Sequence, residues 1–326
     1  MLLNIKEHSF SSIRNEWDEL VNKCNINNVF LCTSWQELWW DEFGEGDLRI
    51  LSLSNEHELL GIAPFHLVKS SVRFLGDTDL FDYHDFIIVP GNELIFLQKI
   101  FEWLNSQDVI EVILPSIPDK STSLNFLSEI SEKEGWKCII KNEDVCPSIE
   151  LPSNWDDYLS SLRKKDRHEL RRKFRRLENF GSSEIVTLND HNEISKNIDS
   201  FFYLMRESRS DKDMFLTTER ENFFRNMAEK LSKEQLISLS LLYVESKIAA
   251  ATICFDFKDT RFLYNSGFDH EYDNLSVGLL LKASCIQNAI ETGFKYFDFL
   301  RGDEPYKYHL GGIDQEIFGV TLVKNG

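Results

Sequence analysis

Near the C-terminal end Asp298, Asp303, Glu304, Tyr306, Lys307 and His309, all able to carry charge or move a proton, fall within twelve residues. Asp298 sits in an apolar run, where strand alternation points it opposite Phe297 and Phe299. An acid in such a place is costly unless it has a partner or a task. Tyr306 offers a proton donor and Lys307 a fixed cation, although the stretch around Pro305 also reads as a rigid turn. The sequence has no Gly-x-Ser-x-Gly and no Cys–His pairing to support a covalent intermediate. The chemistry open to this set is therefore proton transfer and oxyanion stabilisation around a positioned reactant.

The elements that must position these groups lie just upstream. A strand over residues 261–268 leads through a polar loop, 269–276, into a helix that begins at Val277-Gly278. Leu279, Leu280, Leu281, Ala283, Ile286, Ala289 and Ile290 recur at three- and four-residue steps. Thr292-Gly293 places a glycine where a helix usually stops, and residues 296–300 read as a short buried strand. A strand–loop–helix unit presents unpaired N–H donors and the positive end of the helix dipole, which suits a phosphate or pyrophosphate. Asn274 or Ser276 can cap that end, and Gly278 omits a side chain where a ligand could approach. On spacing alone, such a unit with one glycine is also ordinary architecture.

The run Y-N-S-G-F-D-x-x-Y-D-x-x-S-V-G-L-L-L, followed by G-F-K-Y-F-D-F-L-R-G-D-E-P-Y-K, resembles the C-terminal half of the CelD-like acetyltransferase family. That family has the GNAT (Gcn5-related N-acetyltransferase) fold and is similar in layout to the Fem-type aminoacyl transferases, with two GNAT-like domains in tandem. The resemblance implies an acyl-CoA donor, acetyl-CoA or another, with its pantetheine between two splayed strands, here 247–257 and 261–268. It also implies donor contacts from Asn265 and Ser266 and a pyrophosphate at Ser276, Val277, Gly278 and Leu279. Only Gly278 is a glycine where the better-known fingerprint, Q/R-x-x-G-x-G/A, has more. The same resemblance gives Tyr306 the role of protonating the leaving thiolate. It makes Lys307 a neutraliser of phosphate or oxyanion, and sets Asp298 and Asp303 beside them as further catalytic groups. It places Arg206 near the acceptor and, through the D-Y-x-D stretch, Tyr83, His84 and Asp85 in contact with it.

The net charge of −18 disfavours non-specific binding to nucleic acid. From Arg163 to Arg176, however, nine Lys/Arg stand against two acids, a local +7 that leaves the rest at −25. A helix carries this segment, with Leu170, Phe174 and Leu177 on one face and Gly181 as its stop. A solvated face is one reading of such a run. Binding of a phosphorylated donor, an anionic saccharide or surface, or the tRNA of a Fem-type reaction are the others.

In the first half, Trp35, Trp39 and Trp40 fall within six residues and serve either as a ligand platform, with Trp35 on the substrate, or as helix-spaced core. His84-Asp85 has no second histidine at ligand spacing, so no metal is expected there. Strands at 48–53 and 59–67 form a hairpin, and further strands and helices alternate to residue 140. After them come helices at 190–208 and 217–230, consecutive strands at 236–244, 247–257 and 261–268, and a final strand at 316–324 in the second half.

These patterns predict an α/β (α+β) chain of two tandem GNAT-like domains, each a mixed, mostly antiparallel sheet flanked by helices. Residues 1–146 form the acceptor side and 147–326 the acyl-donor side. No run of eighteen apolar residues is present, the N-terminus lacks a signal-peptide layout, and the six cysteines are scattered. The expected protein is a cytoplasmic N- or O-acyltransferase acting on a sugar or envelope-polysaccharide precursor. An aminoacyl-tRNA-dependent transferase and a non-catalytic subunit of a polysaccharide synthesis complex are the alternatives.

Overall fold

The computed structural model describes residues 3–24 and 26–325. Contacts divide the chain into a first unit, residues 1–145 with 315–326, and a second unit, residues 146–314.

The first unit opens with strand β1 (Asn4–His8), followed by helices α1 (Phe10–Lys23) and α2 (Thr33–Phe43). The long hairpin β2 (Asp47–Ser54) and β3 (Leu59–Val68) comes next, then β4 (Ser71–Phe74) and the short β5 (Ile87–Ile88). Helices α3 (Glu93–Ser106) and α4 (Thr122–Lys133) alternate with β6 (Glu111–Pro118) and β7 (Trp136–Val145). Apolar residues of α3, among them Phe96, Leu97, Ile100 and Phe101, pack on the sheet with Phe65, Phe74 and Leu114.

The second unit begins with β8 (Ser148–Glu150), α5 (Trp155–Ser161) and the basic helix α6 (Lys164–Phe180). An edge strand not expected from the sequence, β9 (Ser183–Leu188), leads to α7 (His191–Ser208), α8 (Ser210–Phe215) and α9 (Thr218–Lys233). Then come β10 (Ile237–Val244), β11 (Lys247–Phe257), β12 (Thr260–Phe268), helix α10 (Val277–Glu291), β13 (Tyr296–Asp298) and α11 (Pro305–His309). The sheet order is β8-β13-β12-β11-β10-β9. Helix α10 buries Leu280, Leu281, Ala283, Ile286 and Ala289 in a core shared with Leu170 and Leu177 of α6. Its C-terminus closes as expected. Gly293 takes φ +88, its N–H meets the Ile290 carbonyl at 3.1 Å, and Phe294 N–H meets the Ala289 carbonyl at 3.0 Å.

The last strand, β14 (Glu316–Lys324), corrects the sequence expectation. It lies in the first unit, inserted antiparallel between β6 and β7 in the order β1-β2-β3-β4-β6-β14-β7. Ile317, Val320 and Leu322 are buried there, and the ladder on both sides satisfies the strand's backbone groups.

A second correction concerns which strands part. The antiparallel β11–β12 ladder runs from Ala250↔Phe268 to Phe257↔Thr260, interrupted only by a bulge at Ile253/Cys254, so no ligand arm fits between them. The parallel pair β12–β13 ends at Phe262↔Asp298 while β12 continues to Phe268. From Leu263 onward β12 therefore has a ladder on the β11 side alone. The cleft belongs to β12 and β13.

Candidate functional site

The turn after β13 is held by two buried charges. Asp298 accepts the Leu300 N–H at 2.7 Å, which gives the acid the partner its burial requires. Lys307 is 2% exposed, and its Nζ donates to the carbonyls of Leu300 (2.9 Å), Arg301 (2.6 Å) and Gly302 (2.9 Å). The Glu304 carboxylate lies 2.9 Å from the same Nζ. Leu300 (φ 60) and Gly302 (φ 106) are both left-handed, so the turn exposes a row of carbonyls that a single ammonium gathers. An ammonium has three donors. With four oxygens around it, Lys307 has none left for a phosphate, which corrects its expected role: it positions the turn.

Tyr306 lies against Phe299, with ring centroids 6.3 Å apart, and Lys282 Nζ is 5.0 Å from the centroid of its ring. Burial, and then the charge of Glu304, push the Tyr306 hydroxyl well above its usual range, so it stays protonated at neutral pH. Glu304 itself remains below the usual carboxylate range: burial opposes its ionisation, but the neighbouring Lys307 more than compensates. Asp303 is exposed beside them.

Two lysines that the sequence reading passed over complete the cluster. Lys282 interrupts the apolar face of α10, is 8% exposed, and among the described residues its Nζ has one hydrogen-bond acceptor, the Gly278 carbonyl at 3.3 Å. Burial pushes its ammonium down to about 8. A lone lysine inside the run Leu279 to Ala283 was the available signal. Lys212, on α8, donates to Asn265 Oδ1 at 3.0 Å and to the Ser266 carbonyl, on the part of β12 that β13 no longer covers. Burial, then the positive charges of Lys282 and Arg209, push it down to about 7, against the opposing pull of Asp211 and Glu304. No periodicity marks Lys212, because α8 has no buried face.

At the N-terminus of α10, Ser276 is left-handed (φ 58), and its carbonyl accepts from Leu279 and Leu280. The N–H groups of Val277 and Gly278, in the first turn, have no intrahelical acceptor. Lys173 of α6 donates to Ser276 Oγ at 2.5 Å, and Arg176 to the Asn274 carbonyl at 2.6 Å. The basic helix is thereby fixed beside the donors. The same helix borders a cleft of about 900 Å³ lined by Lys164, Lys165, Arg172, Lys173, Leu279 and His309. Glu169 and Asp166 neutralise part of this charge through Arg172 (2.7 Å) and Arg163 (2.6 Å). Gly278 has a packing reason rather than the expected ligand approach: a Cβ there would lie 2.9 Å from the Phe268 ring.

The remaining expected contacts are structural. Arg206 is occupied by Glu221 (2.8 Å) and the Leu216 carbonyl (3.1 Å), which anchors the chain around α8 and α9. In the first unit, Trp35 is 0% exposed and packs edge-on against Phe30 and Phe81, so it is core and no platform. His84, 1% exposed, stacks between Phe74 and Phe81, and Tyr83 and Asp85 are also buried. Burial raises Asp85 to about 6, opposed by the neighbouring Ser121 and Ser123 and by the Phe86 N–H, which Oδ1 accepts at 2.8 Å. The aspartate-rich loop thus turns inward to polar and aromatic partners, and it does not present these three side chains to an acceptor.

Residues 164–308, from the start of α6 to α11, match the family model of the GNAT acetyltransferase domain. The chain is similar to the crystal structure of FemX, with a TM-score of 0.70 at 13% identity over 98% of this chain and 97% of that one. It is also similar to L-PGS from Bacillus licheniformis (TM-score 0.53, 11% identity, 87% and 90% covered). A tandem GNAT protein from the clavulanic acid biosynthesis pathway gives a TM-score of 0.51 at 10% identity over 98% of both chains. No match was found among curated proteins. The fold is that of tandem GNAT proteins: mixed α/β, with two sheets flanked by helices. Among the described residues no helix is long and apolar enough to cross a membrane.

Proposed function

We propose that this chain is a cytoplasmic acyltransferase. It would take the acyl group of a phosphate-bearing thioester, an acyl-CoA, and transfer it to a saccharide or envelope-polysaccharide precursor. One observation carries the reading: β12 and β13 part at Phe262↔Asp298, and the helix that follows β12 starts beside Lys173 of a basic helix. The exposed edge of β12 suits the amides of an extended pantetheine arm, which would pair with it as a further strand does. The free N–H groups of Val277 and Gly278 and the Lys173 ammonium suit its pyrophosphate. The acyl carbon would then lie near Tyr306, whose hydroxyl is placed to protonate the departing sulfur. Asp298, Glu304 and Lys307 keep the turn that carries Tyr306 in place.

A second reading is favoured by the row of cations along α6 and by the likeness to FemX over nearly the whole chain. In it the phosphates belong to an aminoacyl-tRNA. The deciding measurement is thermal stabilisation by desulfo-CoA and 3′-phosphoadenosine, with tRNA as the comparison. A ligand at a hundred times its dissociation constant adds about 2.7 kcal/mol to the native state. Desulfo-CoA is expected to raise Tm, and Lys173→Gln to remove most of that rise. A salt-sensitive response to tRNA, with none to millimolar desulfo-CoA, overturns the acyl-CoA reading.

A further inference from the structure

Lys212 is a half-buried lysine without a counter-ion. Asp211, beside it in sequence, is held by Arg209 through two contacts of 2.9 and 2.8 Å, and Glu304 is paired with Lys307 at 2.9 Å. Among the described residues neither Lys212 nor Lys282 has a carboxylate within ion-pair distance. What surrounds Lys212 is Lys282 from α10, Arg209 from the α7–α8 junction, Asp211 from α8 itself, and Glu304 from the turn before α11. Two of these four groups are positive, and both carboxylates are already engaged by other cations. A buried ammonium normally finds a carboxylate. Here two neutral oxygens, Asn265 Oδ1 and the Ser266 carbonyl, take its place.

That coordination suits a neutral amine. An uncharged lysine has two N–H donors and one lone pair. Both donors are used on β12, and among the described residues no further hydrogen-bond partner takes the third tetrahedral position of Nζ. Burial and the two nearby cations disfavour the charged form, which fits a base operating near neutral pH. The oxygens that orient it belong to the uncovered stretch of β12, along which the donor arm would lie.

We infer that Lys212 is the general base of the transfer and that the acceptor is an amine; this rests on the acyl-CoA reading above. As the acceptor nitrogen forms its bond to the acyl carbon, its proton passes to the Lys212 lone pair. The carbon–sulfur bond breaks, and the Tyr306 hydroxyl supplies the proton that turns the departing thiolate into a thiol. Proton exchange with water then returns the lysine to its neutral form and the tyrosine to its hydroxyl. The same cations that keep Lys212 neutral disfavour an acceptor ammonium, so an amine arrives as the free nucleophile. A hydroxyl is a far weaker acid than the ammonium centre an amine becomes as it attacks, so it gains less from so mild a base.

Two measurements on the full chain test this. Trace acetylation with acetic anhydride, read by peptide mass spectrometry from pH 6 to 11, reports whether Lys212 loses its proton below the exposed lysines. Turnover of acetyl-CoA with hydroxylamine, a small amine that reaches any acyl group, is compared for wild type, Lys212→Arg and Lys212→Gln, alongside stabilisation by desulfo-CoA. Arginine keeps donors for Asn265 and Ser266 but does not give up its proton. Lys212→Arg is expected to keep the desulfo-CoA shift and to lose about 10²–10⁴-fold in kcat, the usual range for a general base, together with the acidic limb of the pH profile. An acetylation profile like that of exposed lysines overturns the assignment whatever the donor. So does a Lys212→Arg enzyme with wild-type kcat and pH profile, or a wild type that binds desulfo-CoA without turnover. A wild type that desulfo-CoA does not stabilise overturns the donor reading instead, and the acetylation profile still decides the state of Lys212.

Discussion

Lys307→Ala separates a scaffold lysine from a catalytic one. The substitution removes the ammonium that the Leu300, Arg301 and Gly302 carbonyls share at 2.6–2.9 Å and leaves Glu304 without its partner. Breaking a buried charge contact by deleting one partner costs about 3–5 kcal/mol, because the other groups stay buried and unpaired. Leu300 adds to this, since its left-handed backbone has to be held by something. For a unit of 169 residues, residues 146–314, each kcal/mol lowers Tm by about 2–4 °C, so a fall of roughly 6–20 °C is expected. Lys307→Arg should recover part of it, because its planar fork keeps the charge but does not converge on three carbonyls. The assay is calorimetry of the three proteins at one pH, with turnover measured well below the lowest midpoint. A Lys307→Ala protein melting within about 2 °C of wild type would refute the reasoning, since the turn would then be shown to stand without the ammonium.

Two further predictions follow from buried ionisable groups. Asp85 is raised to about 6 from an unfolded value near 3.8, so the native state holds its proton more tightly. That contribution is fully present below about pH 3.8 and is lost as pH rises through about 6, each tenfold difference in proton affinity being worth about 1.4 kcal/mol. Asp85→Asn should therefore match wild type near pH 4 and exceed it by up to about 3 kcal/mol at pH 8, read from urea midpoints; equal curves at both pH values would count against it. Lys282 has the opposite sign. Its folded value is about 8 and its unfolded value 10.5, so the unfolded chain binds the extra proton in that window and stability rises with pH across it. Lys282→Met should flatten this slope and stabilise the protein by about 3 kcal/mol at pH 7, a gain that disappears near pH 10.5.

The sequence by itself determined the local pieces. Periodic leucines and the Thr292-Gly293 stop defined α10, alternation defined β10 to β12, and the charge run from Arg163 to Arg176 defined a basic helix. These are short-range consequences of side-chain periodicity and backbone preference, and they need no partner to be visible. The start of the helix after β12 was legible for the same reason. What the sequence left undetermined was long-range pairing. Strand β14 pairs with strands formed about 200 residues earlier, and alternation states which face of a strand is buried but not which sheet receives it. Likewise, only the ladder between β12 and β13 showed where the sheet opens.

Charged residues were the hardest to assign, because their meaning lies in their partners. Lys307 and Arg206 looked available and are occupied; Trp35 and His84 looked like contact residues and are core. Lys212 was passed over in the sequence, yet folding sets it against Asn265 and Ser266 with no carboxylate within ion-pair distance among the described residues. A side chain's type fixes how many protons it can give or take. Only the tertiary structure decides whether those capacities are already used, because burial and neighbouring charge arise from residues distant in the chain.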